Sequence, residues 1–271
     1  MANESVKLIP RGLDFPTARH LLQEEQETYE EAVKQKFNSK KARDSLLIHI
    51  NYSNLFKVIF LNQIGIKTAT LPELDLISEN LEGIKLLKGF YEDTPSIILR
   101  SNRDSNSNND YLAKDLTKKL KIKSFATPII ANGLELIEDV NSAYGLNFDV
   151  ENVQKINAPD FDNRNHGRKF SRINPDYSIE FDEKGTRTLY TRDNGVSRLC
   201  LDGGLYLGSG YEDLAVSGDD GRVVVVSGGA TSQKSLDAYI FEINQNSAKQ
   251  IKQIQQRAKQ AESYIRTGKL E

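Results

Sequence analysis

The run Asp160-Phe161-Asp162-Asn163-Arg164-Asn165-His166-Gly167-Arg168 gathers the residue types a hydrolytic enzyme would use. Histidine can act as a general base near neutral pH, a carboxylate can orient it, and an arginine can hold developing negative charge. Asp160, Asp162, His166 and Arg168 therefore make up the candidate catalytic loop of a hydrolase-like reading. No serine or cysteine stands at a spacing that marks it as their nucleophile. The loop also fails as a Ca²⁺ site, because Arg164 occupies the next alternate position after Asp160 and Asp162 and no glycine follows at the sixth. His20 and His49 read as ordinary surface or core histidines. Gly203-Gly204 and Gly228-Gly229 lack the strand-to-helix setting and the lysine of a phosphate loop. Aspartate before glycine at Asp202 and Asp220 is ordinary turn chemistry, so neither a metal nor a cofactor is expected.

A different kind of chemistry, recognition without reaction, is suggested by Tyr177 to Gly229. Turn signals recur there at short intervals: Glu183-Lys184-Gly185, Asp193-Asn194-Gly195, Asp202-Gly203-Gly204, Gly208-Ser209-Gly210 and Asp219-Asp220-Gly221. Between them Leu199 and Leu201, then Leu205 and Leu207, repeat at spacing two and share one face of a sheet. Their neighbours must point the other way. That outward set comprises Cys200, Asp202, Gly203, Gly204, Tyr206, Gly208, Gly210, Tyr211, Gly218, Asp219 and Asp220. Glycines weaken strands and exposed tyrosines add little to a core, so folding alone explains the set poorly. Tyrosine beside small residues is what antigen-binding loops favour, since it offers a large amphipathic contact at low entropic cost.

From Leu189 through Ser232 the chain contains no Lys, Gln, Met or Trp and a single Glu, Glu212. In this it resembles the variable region of target proteins of diversity-generating retroelements. In that family adenine mutagenesis reaches Asn, Asp, Ser, Gly, Tyr, Cys, Arg and Leu but not Lys, Glu, Gln, Met or Trp. Gly221-Arg222-Val223-Val224-Val225-Val226 is similar to the family's glycine-arginine-valine terminal strand. The resemblance covers about residues 170 to 229. It implies a C-type-lectin-fold display domain that binds a ligand through exchangeable side chains and does no chemistry. Glu212, and the absence of tryptophan, depart from the family pattern.

The elements that must position these residues are read from periodicity and punctuation. A helix is expected from Asp14 to about Phe37, with Leu22, Tyr29, Val33 and Phe37 on one face and acidic residues elsewhere. A helix starts at Pro72, a strand at Ile97-Ile98-Leu99 follows Pro95, and a helix from Tyr111 carries Leu112, Leu116 and Leu120 at spacing four. Asn132-Gly133 predicts a hairpin between Pro128-Ile129-Ile130 and Leu134-Glu135-Leu136, with a helix over Leu134 to Tyr144 as the alternative. Ser101 to Asp110 is an exposed loop, Asn157 to Asn174 is long and irregular, and Val223 to Val226 is the most strand-like run. Leu236 to Ile265 predicts a basic helix near a heptad pattern.

The expected architecture is α+β, C-type-lectin-like in the C-terminal half. An N-terminal acidic helical segment covers 1-45, and a globular domain covers 46-230 with its display sheet at 177-229. A basic helix covers 231-271. A net charge of -2 and a pI near 6.0 give no electrostatic case for nucleic acid. One cysteine excludes an internal disulfide and a multi-cysteine zinc site. No apolar run predicts membrane insertion or a signal peptide, so the expected location is cytoplasmic, or displayed without a cleaved signal. The expected partner is a macromolecular or cell-surface ligand, a protein in the first instance. The alternatives are the Asp160/Asp162/His166/Arg168 enzyme and a structural subunit assembled as a homo-oligomer through its terminal helices.

Overall fold

The computed structural model describes residues 26–48, 52–79, 81–215 and 220–226. The expected helix start at Asp14, His20, Leu22, His49, Gly218, Asp219 and the C-terminal helix all lie outside the described residues. What is described is an α+β protein: six helices beside one nine-stranded mixed sheet and a separate two-stranded hairpin.

Local chemistry sets the helix starts. Helices α1 (Gln26–Lys36) and α2 (Lys40–Leu47) are separated at Ser39, whose hydroxyl accepts the Ala42 amide at 3.1 Å. Asn54 does the same for α3 (Leu55–Gln63), taking the Lys57 amide at 2.9 Å. Pro72 and Glu73 open α4 (Leu71–Ile77), where the Glu73 carboxylate reaches back to the Thr70 amide at 2.8 Å as a capping box. After α5 (Leu81–Leu87) comes α6 (Ser107–Lys119). Its cap is Asn106, so the run Ser101 to Asp110, expected to be a loop, is helical from Ser107 onward.

The strands are β1 (Tyr91–Leu99), β2 (Ile129–Asn132), β3 (Glu135–Glu138), β4 (Leu146–Asp149), β5 (Gln154–Asn157) and β6 (Lys169–Ile173), then β7 (Ile179–Phe181), β8 (Arg187–Tyr190), β9 (Val196–Leu201), β10 (Leu207–Gly208) and β11 (Gly221–Arg222). The large sheet runs β5-β2-β1-β9-β10-β8-β6-β7, with β11 alongside β1. Two pairings are parallel, β1 with β11 and β10 with β8; the rest are antiparallel. Strand β1 passes through Pro95, and its pairing with β9 slips between Asp93 and Ile97. Proline has no amide to give to the ladder, and a bulge absorbs the missing bond.

Three expectations about this sheet are corrected. Asn132-Gly133 is a turn, with Gly133 at φ 77°, but β2 pairs with β1 and β5 while β3 pairs with β4, so no hairpin joins β2 to β3. The valine run is not a strand. Only Gly221 and Arg222 join the ladder, and Val225 makes a single bridge to Thr68. Asn157 to Asn174 is built rather than irregular: two short 3₁₀ turns, Pro159–Phe161 and Asn163–Asn165, lead into β6.

The main apolar cluster lies between the helices and one face of β1 and β9. Every residue from Leu55 to Leu61 in α3 is buried. Phe56 meets Tyr144 at 5.1 Å and Phe148 at 6.0 Å, and Phe60 meets Phe37 at 5.4 Å and Tyr29 at 5.8 Å. Tyr29, Val33 and Phe37, on the expected face of the first helix, thus sit in one cluster with Ile97, Leu99 and Val196. Leu112, Leu116 and Leu120 join it from α6, as their spacing requires.

Candidate functional site

Side chains directly opposite each other in neighbouring strands share a face. Asp93 lies opposite Cys200, Cys200 opposite Gly208, and Gly208 opposite Tyr190, so these four residues form one row across β1, β9, β10 and β8. The alternate row is Glu92, Leu201, Leu207 and Leu189, on the other face. The spacing of Leu199, Leu201 and Leu207 did place them together, and all three are buried. Leu205 leaves the pattern because it occupies the β9–β10 turn at φ 61°.

The row changes character along its length. At the β1 end it is closed and ionic: Asp93 accepts the Ser53 hydroxyl at 3.0 Å and the Tyr91 hydroxyl at 3.3 Å, and Arg198 faces it at 3.5 Å. Nε and Nη1 of Arg198 have no hydrogen-bond partner, and its guanidinium lies 5.0 Å from the Tyr91 ring centre and 5.6 Å from that of Tyr211. Burial raises the Asp93 carboxyl above the usual carboxylate range, against the pull of Arg198. Burial also lowers Lys57 to about 7, although Asp93 opposes it, and the Lys57 ammonium is held by the carbonyls of Ile48 at 2.9 Å and Tyr52 at 2.8 Å.

At the β10 and β8 end the row is open and aromatic. Tyr190 and Tyr211 are each 39% exposed. A Cβ on Gly208 would lie 2.5 Å from Cε2 of Tyr211 and 2.6 Å from Sγ of Cys200, so only glycine lets the Tyr211 ring settle there. Gly204 makes the same kind of room, because an added Cβ would overlap the Tyr206 ring. Tyr206 then stands perpendicular to Tyr190 at 5.8 Å and 89°, and His166 meets the far side of the group edge-on to Tyr190 at 5.8 Å. Tyr211 closes the group against Tyr91 at 5.7 Å. Its backbone carbonyl accepts the Arg198 amide at 3.0 Å, which fixes it beside β9.

Asp202 shapes the turn between β9 and β10. Its Oδ1 accepts the Gly204 amide at 3.1 Å and the Tyr206 amide at 3.3 Å. Burial raises its carboxyl, those two amides pull it back, and Asp220 adds like charge. Gly203 touches the chain at Gly89, accepting that amide at 2.8 Å, and Gly210 packs near the Thr191 carbonyl. The Asp220 carbonyl accepts the Tyr91 amide at 3.2 Å. The described members of the sequence-derived set therefore come together around one hairpin.

Cys200 and Gly208 are not outward. Both are buried, because β9 is a central strand with cover on each face and two-residue alternation there separates two interiors. The Cys200 thiol donates to the Gly208 carbonyl at 3.4 Å, and burial pushes its pKa far up. Tyr190, Tyr91, Asp93 and Arg198 were missed. No local signal marks them, since Tyr190 faces Gly208 only because β10 inserts between β8 and β9.

The hydrolase-like loop does not converge. The Asp160 carboxylate accepts the Ile179 amide at 2.8 Å, Asp162 caps the turn at Arg164 and pairs with that side chain at 2.8 Å, and Arg168 stacks 3.7 Å from the Phe181 ring centre. His166 points elsewhere, with Nδ1 taken up by the Thr191 backbone at 2.9 and 3.2 Å. Each of the four holds backbone or a neighbour in place. Among the described residues no group of three or more His, Cys, Asp or Glu could hold a metal ion, and no helix is long and apolar enough to cross a membrane. No protein-family model, no curated protein and no solved structure matches this chain.

Proposed function

We propose that this chain is a binding protein whose recognition surface is the open end of the row, made by Tyr190 at the end of β8, Tyr206 in the β9–β10 turn and Tyr211 just after β10. The observation that carries it is the placement of tyrosine rings over glycines, Tyr206 over Gly204 and Tyr211 over Gly208, with Tyr211 and Tyr190 left partly exposed. Few large apolar side chains of the described residues are exposed at all, and two of them meet here. Rings held by their own backbone are ready-made anchors that lose little freedom on binding a macromolecule.

Selection of peptides from a random library against the full chain tests this. Most selected peptides should lose about tenfold or more in affinity for Tyr206→Ala and Tyr211→Ala, and be unaffected by Val140→Ala, an exposed side chain outside the row. Peptides that bind all three variants as they bind the parent would remove the proposal.

A narrower form of the same proposal is that the face belongs to a diversity-generating retroelement target on a C-type-lectin-type platform. What supports it is the hairpin's composition together with the exposure of Gly204 and Tyr211 and the partial exposure of Asp202, Gly203, Tyr206 and Gly210. Natural variation at those positions is its test.

A further inference from the structure

Three buried aspartates in this protein each face an arginine across the fold: Asp75 with Arg187, Asp93 with Arg198 at 3.5 Å, and Asp104 with Arg192 at 2.9 Å. Asp202, at the β9–β10 turn, is less buried than these three. Its carboxylate is partly buried, only Oδ1 is engaged, by two backbone amides, and no cationic side chain pairs with it among the described residues. Asp220, close enough to raise its pKa, adds negative charge.

Tyr206 gives its backbone amide to the Asp202 carboxylate, and its ring belongs to the group formed with Tyr190 and Tyr211. The rings of Tyr190 and Tyr206 meet at a right angle, so together they present the π-face of one and the edge of the other. Tyr211 lies over Gly208, directly opposite Tyr190 in the ladder, and both Asp202 and Tyr190 act electrostatically on its phenol. Aromatic faces attract a cation placed within about 6 Å of the ring centre. Elsewhere the chain already uses this contact, with Arg168 over Phe181 and Arg222 4.9 Å from the Phe90 ring centre.

We infer that Tyr190, Tyr206, Tyr211 and Asp202 form a cation-accepting corner that takes the protonated amine of a lysine side chain on a protein partner. The inference rests on the binding face proposed above and names the chemistry of its occupant. Tyrosine rings alone would accept any apolar group. What favours a cation over an apolar group is the negative charge of Asp202 and of Asp220.

The test uses the full chain with ¹³C-labelled tyrosine and a matched pair of probes, Nα-acetyl-lysine methylamide and its uncharged counterpart Nα-acetyl-norleucine methylamide. Spectra of Tyr190→Phe, Tyr206→Phe and Tyr211→Phe assign the ring signals. The lysine probe should shift all three tyrosines saturably, and norleucine should bind roughly tenfold more weakly. Asp202→Asn keeps an oxygen for the Gly204 and Tyr206 amides and should weaken the lysine probe severalfold, while Tyr206→Ala should abolish its effect. Equal response to lysine and norleucine overturns the cation inference and leaves an apolar binding face standing. No response to either probe, with library peptides still dependent on Tyr206 and Tyr211, likewise overturns the inference alone. Peptides indifferent to both tyrosines overturn the binding face and the corner together.

Discussion

Glu92 is a carboxylate buried in an apolar row. It sits in the row of Leu201, Leu207 and Leu189, and neither carboxylate oxygen has a hydrogen-bond partner. Burial raises its pKa well above the usual carboxylate range, Asp93 next to it raises it further, and Arg222 opposes both. A folded-state pKa above the unfolded one means that this group's contribution is full below the unfolded value of about 4.3 and is lost as pH rises through the folded value. Glu92→Gln removes that loss. Its thermal midpoint should exceed the parent's at pH 8, and the gap should close by about pH 4. Thermal melts of both proteins across that range check it, and a variant less stable by the same margin at every pH would show that folding leaves the Glu92 pKa unchanged.

At the scale of elements, the β8–β9 connection is tied to the start of α6 through one carboxylate. Gly195 has φ 72°, and a Cβ there would overlap the Asp104 carboxylate. That carboxylate accepts the Val196 amide at 2.7 Å and the Asn106 amide at 2.9 Å, and pairs with Arg192. Through it the turn after β8 is joined to the start of α6. Gly65, at φ 89°, has nothing within 4 Å of a built Cβ and isolates the conformational cost. Gly65→Ala should therefore cost about 1 kcal/mol, and Gly195→Ala about 2 kcal/mol more for displacing a buried charge. Urea unfolding of the two variants measures the difference, and equal losses would mean that Asp104 moves aside freely.

Over the whole molecule, the sheet separates packed positions from surface positions within a few residues of each other. Cys200 and Gly208 lie between packed layers, whereas Asp202, Gly203, Gly204, Tyr206, Gly210 and Tyr211 reach the surface within the same hairpin. If the retroelement reading holds, sequencing this gene across a natural population will show adenine-accessible substitutions at those six surface positions. Cys200, Gly208, Leu199, Leu201 and Leu207 will stay constant. Variation spread evenly along the chain, or rarest at the six, would remove that reading.

Much of the local structure was legible because its causes are local. Leucines at spacing four bury one side of α6, Pro72 and Glu73 open α4, and Asp-Gly and Asn-Gly pairs fall in the turns around β8, β9 and β10. Leucine spacing in β9 and β10 gave one shared face, and the Tyr206 and Tyr211 glycine setting marked the hairpin as a surface of interest. Partner choice among strands was not legible, because a strand's own residues state which way side chains alternate but not what covers each side. Asn132-Gly133 made a turn whose strands then paired elsewhere, and the valine run yielded a ladder only at Gly221 and Arg222. Cys200 turned out buried for the same reason, since both faces of a central strand are interior. Only the tertiary pairing of β10 with both β8 and β9 set Tyr190 opposite Gly208 and put Asp93 and Arg198 behind them. The sequence by itself determined where the helices cap and the chain turns, through contacts a few residues long; the row that makes the site exists only through long-range strand pairing.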